Sequence, residues 1–200
     1  YNCFTFGNGV ESDRIRDDFN ASRLDNGPRV STEIAEPYKS EHKTNGLIWS
    51  GIYNSNSKTN NLNQFIQAEA ITKDLNPTYG SIQKLFSRNT NILAFCEDKV
   101  LKILANKDAL FNSDGNVNLT ATNKVLGQSM PFAADHGIST HPESFAEYAF
   151  RIYFSDYQRN SIYRLSNDGI EEITRYNMSD YFGDAFGSIN SGELIVGSYD

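Results

Sequence analysis

Cysteine, histidine and tryptophan are scarce: 200 residues hold two, three and one of them. Cys3 and Cys96 are far apart in the chain. One bridge between them is chemically open. The ordinary reading is two free buried thiols, and nothing in this usage demands an oxidising compartment. No run approaches the roughly 18 consecutive apolar residues of a membrane-spanning helix, so no membrane span is expected. Positive charge is in deficit, with 18 Lys and Arg against 25 Asp and Glu and a net charge of −7. That balance argues against direct nucleic-acid readout, which normally needs a basic face.

Chemical signatures are missing too. There is no Gly-x-Ser-x-Gly elbow to present a nucleophile beside an oxyanion hole. There is no Gly-x-Gly-x-x-Gly or phosphate-loop motif to cradle a nucleotide. A Ser-His-Asp set can be assembled on paper, but without the elbow it has no support. His136 and His141 are five apart and flanked by Asp135 and Glu143. Their spacing fits no standard metal motif, so they read as solvated or backbone-bonded loop histidines, and His42 lies in another polar loop. Asn112 to Asn118 resembles a calcium loop only superficially. Its glycine comes too early and no bidentate Glu follows, so it reads as an Asp-Gly turn. Glu97, Asp98, Asp156 and Asp168 fall at hairpin tips as turn formers rather than as paired catalytic carboxylates. No catalytic residue, metal site or cofactor is expected.

What remains is a β-rich globular chain. Apolar residues make up 38% and aromatics 12%, which excludes a wholly disordered polymer. A chain of this length buries roughly 70% of its unfolded surface, enough for one sizeable core or two small ones. It starts at Tyr1 without an initiator Met and ends at Leu194-Ile195-Val196-Gly197-Ser198-Tyr199-Asp200, which reads as a strand running off the end. Residues 1–200 therefore read as an internal fragment of a longer chain, with 1–75 an irregular or β segment and 76–200 propeller-like blades.

In the first segment, Cys3 to Phe6 reads as a short strand ending at the Gly7-Asn8-Gly9 turn. Val10 to Asn20 is a solvated charged stretch, Asn26-Gly27-Pro28 a break and Ser31 to Asn45 a loop. Leu47-Ile48-Trp49 and Gly51-Ile52-Tyr53 make an apolar patch, followed by a loop from Asn54 to Asn63. Phe65 to Leu75 is balanced between helix and strand.

The second segment carries the clearer signal. Ser81 to Phe86, Ile92 to Cys96 and Val100 to Leu104 read as strands, with turns at Glu97-Asp98-Lys99 and Asn106-Lys107-Asp108. The scheme recurs at Arg151 to Ser155, Ser161 to Leu165 and Ile170 to Ile173. Aligning Leu104 with Leu165, 61 residues later, matches Phe95-Cys96-Glu97-Asp98 with Phe154-Ser155-Asp156. That offset exceeds the roughly 40 to 50 residues of a propeller blade, so insertions are required. Met178 to Phe186 reads as a short helix capped by Ser179 or Asp180, with aromatics at i and i+4. The expected fold is mainly β: antiparallel hairpins forming β-propeller-like blades with short helical connections. An antiparallel sandwich with similar hairpins is the alternative.

Several strings recur in a recognisable order: Lys73-Asp74-Leu75, Tyr79-Gly80-Ser81-Ile82-Gln83-Lys84-Leu85, Glu97-Asp98-Lys99-Val100, Val125-Leu126-Gly127, Gly137-Ile138-Ser139, Pro142-Glu143-Ser144-Phe145-Ala146, Tyr153-Phe154-Ser155-Asp156 and Gly169-Ile170. From Asn45 to Phe182 this series resembles a large structural or "stabilization" protein of crAss-like and related tailed bacteriophages, which forms the tail muzzle. One departure is Arg159-Asn160, where a basic residue followed by Gly is expected. Asn tolerates the left-handed backbone such a turn needs.

The resemblance implies a non-enzymatic structural component of the virion tail. Its partners would be other tail proteins, in a ring-shaped homo-oligomer within the particle. Trp49, Tyr53, Tyr148 and Tyr157 are the candidate interface residues, because exposed aromatics favour interfaces. Core packing is the plain alternative for each. Two other functions remain open: a receptor- or glycan-binding β module of a phage tail, and a propeller-type hydrolase.

Overall fold

A computed structural model describes residues 42–65, 70–111, 117–190 and 193–199. The expected strand at Cys3 to Phe6, the charged stretch from Val10, the break at Asn26-Gly27-Pro28 and the Asp114-Gly115 turn lie outside them. The described residues are mainly β, in antiparallel sheets, with one α-helix. The chain divides into two compact units, Tyr1–Asp74 and Leu75–Asp200.

In the first unit, strand β1 (Gly46–Ile48) pairs antiparallel with β4 (Thr72–Asp74), placing Leu47 opposite Lys73. Between them β2 (Tyr53–Asn54) and β3 (Thr59–Asn60) form a small hairpin. The sequence reads as plain loop there. The hairpin closes because Asn54 Oδ1 accepts from the backbone N–H groups of Asn56 and Ser57, and Lys58 takes φ 61°.

The second unit contains two four-stranded antiparallel sheets, each a plain meander. The first runs β5 (Ile82–Arg88), β6 (Asn91–Cys96), β7 (Val100–Phe111) and β8 (Val117–Pro131). The second runs β9 (Ala146–Tyr148), β10 (Arg151–Asp156), β11 (Ser161–Ser166) and β12 (Gly169–Glu172). A 3-10 turn with proline at its start leads into each sheet, Pro77–Tyr79 before β5 and Pro142–Ser144 before β9. Proline suits that position because its φ is preset and its missing N–H is not needed.

Their facing sides share one core. Leu93, Phe95 and Val100 of the first sheet meet Ile152, Phe154, Tyr163 and Leu165 of the second, with Ile138 added from the intervening loop. Phe95 stands edge-on to Phe145 at 5.4 Å and to Phe154 at 5.3 Å. Each such side chain contributes about 1.5–3 kcal/mol by burial. Ala94, Cys96, Leu101 and Ile103 bury the opposite face of the first sheet. Buried on both faces, β6 reads as a continuous apolar run. In β11 the buried residues alternate, Ser161, Tyr163 and Leu165.

The hairpin positions follow the sequence reading, with Leu104 and Leu165 both on third strands. One expected turn does not exist. Asn106-Lys107-Asp108 lies inside β7, which runs on to Phe111. Asn106 takes φ 56° at an irregularity where Ala105 pairs with Leu126 but Lys107 with Ala121. Lys107 Nζ donates to Thr90 Oγ1 at 2.6 Å, and Asp108 Oδ1 accepts from Gln128 N at 2.9 Å. These polar residues tie strands together instead of ending them. The outer parts of β7 and β8 thus form a two-stranded ribbon beyond the first sheet.

Helix α1 (Ser179–Gly187) forms where expected, with Phe182 and Phe186 rings 5.6 Å apart. The cap differs. Met178 holds the N-cap position with no side-chain hydrogen bond, and Ser179 Oγ donates back to Thr174 O at 3.3 Å. Among the described residues no helix is long and apolar enough to cross a membrane.

Candidate functional site

Strand direction sorts the hairpin tips of the second unit to two ends. At one end lie the β6–β7 turn (97–99) and the β10–β11 turn (157–160), with the loop from Phe132 to His141 strapped over them. Ile138 N donates to Cys96 O and Ser139 N to Glu97 O, both at 3.0 Å. Gly137 is required there: a Cβ would stand 2.1 Å from Glu97 O. Ser81 donates both its N–H, at 2.7 Å, and its hydroxyl to Glu97 Oε2. Lys99 pairs with Asp135. That hydrogen bond, with the lysine charge, holds the Asp135 carboxyl below its ordinary value.

Asp156 is the centre of this end. Its Oδ1 accepts from the N–H groups of Gln158 and Arg159, and its Oδ2 pairs with Arg159 Nη1 at 2.6 Å. Arg159 Nη2 reaches Asp98 of the other sheet at 3.4 Å. Asn160 then takes φ 53°, the left-handed conformation that the sequence reading allowed it. The acidic tip residues Glu97 and Asp156 therefore act as turn formers and clasps.

His136 and His141 are packed rather than solvated, whereas His42 is exposed. His136 stacks on Tyr163 with centroids 4.2 Å apart, and His141 is buried with its ring 5.3 Å from Tyr157. Burial, and next the Arg159 charge, lowers the His136 pKa. The Nδ1 atoms of both histidines and the hydroxyls of Ser139 and Ser155 are buried without hydrogen-bond partners. No serine–histidine pair is therefore assembled among these groups. Among the described residues no cluster of three or more His, Cys, Asp or Glu is placed to hold a metal ion.

At the opposite end lie the β5–β6 tip (89–90), the β9–β10 tip (149–150) and the β11–β12 tip (167–168). Arg88 joins them: its Nη2 donates to Phe150 O and to Asn167 Oδ1, both at 2.8 Å. Three adjoining clefts open around this tether. The largest, about 390 Å³, is lined by Tyr148, Ala149, Phe150, Arg151, Ser166, Asn167 and Asp168. Two smaller ones, about 200 and 120 Å³, adjoin it through Ala149 and Phe150 and through Ser166 and Asn167.

The four candidate interface aromatics divide between the two units. Trp49 and Tyr53 belong to the first unit, the former half-buried and the latter exposed. Tyr148 stands at the cleft end, half-exposed and stacked on Tyr199 at 4.3 Å. Tyr157 stands at the clasp end, half-buried against His141. Sequence reasoning missed Phe150, which is 82% exposed. Its signal was present: an aromatic in a two-residue turn, where polar residues and glycine are the rule.

No protein-family profile matches the chain, and no curated protein matches its sequence.

Proposed function

We propose that the second unit consists of consecutive blades of a β-propeller, and that the protein is a non-enzymatic structural subunit of a phage tail muzzle. The observation that carries the architectural part is the repetition. Two four-stranded meanders run in the same order, each entered through a proline-led 3-10 turn, and pack face to face on one core. Successive propeller blades have that arrangement. The first strands begin at Ile82 and Ala146, 64 residues apart, and the ribbon of β7 and β8 accounts for the excess over an ordinary blade. The tail assignment is supported by the ordered strings from Lys73-Asp74-Leu75 to Gly169-Ile170, which resemble the muzzle proteins.

A mechanical role fits the chemistry of the clasp end. The Arg159 bridge between Asp156 and Asp98 and the strap over Cys96 and Glu97 lock the sheets against sliding. The net charge of −7 would keep a tail conduit from holding the outgoing DNA. The partners are other tail proteins and further copies in a ring.

Electron cryomicroscopy of the intact particle tests both parts. Side-chain density for Ile82 to Glu172 as radially packed blades in a tail ring is the expected result. A particle that lacks the chain would end the virion assignment. Two sheets forming a closed sandwich with no further blade would end the propeller.

A further inference from the structure

We propose that the cleft beside Phe150 is a binding site for a neutral oligosaccharide. Phe150 is the most exposed of the large apolar side chains, at 82%, and has no ring partner among the described residues. Its neighbour Tyr148 is already stacked on Tyr199. An open aromatic ring beside a cleft offers a flat apolar face on which a ligand can lie. The tip is also rigid. Ala149 holds φ 54° and Arg88 fixes the Phe150 carbonyl oxygen, so the backbone that carries the ring is held in place.

The walls select the ligand class. About 390 Å³ lies within the usual range of small-ligand sites. Arg151 and Asp168 line it, and neither forms an ion pair or side-chain hydrogen bond among the described residues. Within the lining the two charges offset one another, and the Arg88 guanidinium behind it is already turned onto Phe150 O and Asn167 Oδ1. Asn167 spends its carbonyl oxygen on Arg88, which leaves its amide N–H groups to donate. A pyranose ring meets these demands together. Its C–H face lies on Phe150, and its hydroxyls serve as donors to Asp168 and acceptors from Arg151 and Asn167. An apolar peptide would leave both charges unpaired. The site stands independently of the tail assignment: sugar binding can fail in a muzzle protein, and can hold in a protein found elsewhere.

The test titrates the 200-residue chain with maltohexaose, cellohexaose, xylohexaose and chitohexaose, read by calorimetry and by saturation-transfer NMR. At least one is expected to bind with Kd near 1 mM or below, with transfer from aromatic protons. Phe150→Ala and Asp168→Ala are each expected to weaken that binding about tenfold or more, with melting temperatures unchanged. Failure of all four sugars to bind below about 10 mM overturns the proposal. So does unchanged affinity in Phe150→Ala, or a change in oligomeric mass on that substitution, which would make Phe150 a subunit contact instead.

Discussion

Arg159 Nη1 lies 2.6 Å from Asp156 Oδ2, a carboxylate with no exposed side-chain surface. The contact spans three residues and closes the β10–β11 turn, while the other guanidinium nitrogen extends the bridge to Asp98 across the core. Arg159→Ala leaves a buried carboxylate with only two backbone N–H donors. The expected loss is about 2–3 kcal/mol, because an uncompensated buried charge costs more than the pair contributes. Asp156→Asn keeps an acceptor for the turn and should cost less, about 1–2 kcal/mol. Urea unfolding curves with a constant m-value would measure both. A smaller loss for Arg159→Ala than for Asp156→Asn would contradict this account of the clasp.

Two glycines should respond to alanine with opposite signs. At Gly137 a Cβ would collide with the backbone of Cys96 and Glu97, the nearest atom 2.1 Å away. The strap would have to lift, breaking the bonds from Ile138 and Ser139. A loss of about 1–3 kcal/mol follows, as for other overpacked sites. At Gly183, inside α1, nothing lies within 4 Å of the added carbon. Gly183→Ala should stabilise by about 0.5–1 kcal/mol through helix propensity. Thermal melts of the two variants against the parent decide the matter, and a stabilised Gly137→Ala would mean that the strap is not seated on the turn.

Much of the second unit was legible because its strands alternate with acidic or asparagine turns. Ile92 to Leu104 and Arg151 to Ile173 announce themselves as apolar runs broken by Glu97-Asp98-Lys99 and by Asp156 to Asn160. The extension of β7 was not legible. Asn106, Lys107 and Asp108 are turn-type residues, and a two-stranded ribbon with both faces partly wet has no apolar face to impose period two. The candidate cleft was hidden for another reason. Arg88 reaches residues 62 and 79 positions away, and no local pattern encodes such a pairing. Packing of His136 on Tyr163 was equally invisible, since a loop histidine looks the same in sequence whether wet or stacked.

The stacked histidine makes stability depend on pH. Burial first, then the Arg159 charge, lowers the His136 pKa below its ordinary 6.5, while Asp156, Glu172 and Asp135 oppose that. The unfolded chain therefore takes up this proton before the folded one does. His136 contributes its stability above pH 6.5, and that stability is lost as the pH falls through the folded pKa. The melting temperature should be lower at pH 5.5 than at pH 7.5. His136→Phe keeps the stack on Tyr163 and should flatten this dependence. Asp135, lowered by Lys99, loses its contribution only at more acidic pH, below its ordinary 3.8. An unchanged slope in His136→Phe would assign the effect to another group.

Cys96 offers a probe of whether β6 ever opens. The side chain is fully buried in the first sheet, and burial, with the Glu97 charge second, pushes its thiol up to about 11. At pH 8 only about one thiol in a thousand is then ionised, and it is the thiolate that attacks a disulfide reagent and expels its leaving thiolate. In a Cys3→Ser background, modification of native protein by a disulfide reagent should be at least about a hundredfold slower than in urea. The reaction that does occur should scale with the fraction of molecules in which the strand is open. Labelling nearly as fast as in urea would mean that β6, the most enclosed strand of the sheet, exchanges locally, and that the face carrying Ala94, Cys96 and Leu101 is not closed in solution. Cys96→Ala should be tolerated with a small loss, whereas Cys96→Asp should be strongly destabilising, because it places an ionisable group at a fully buried position.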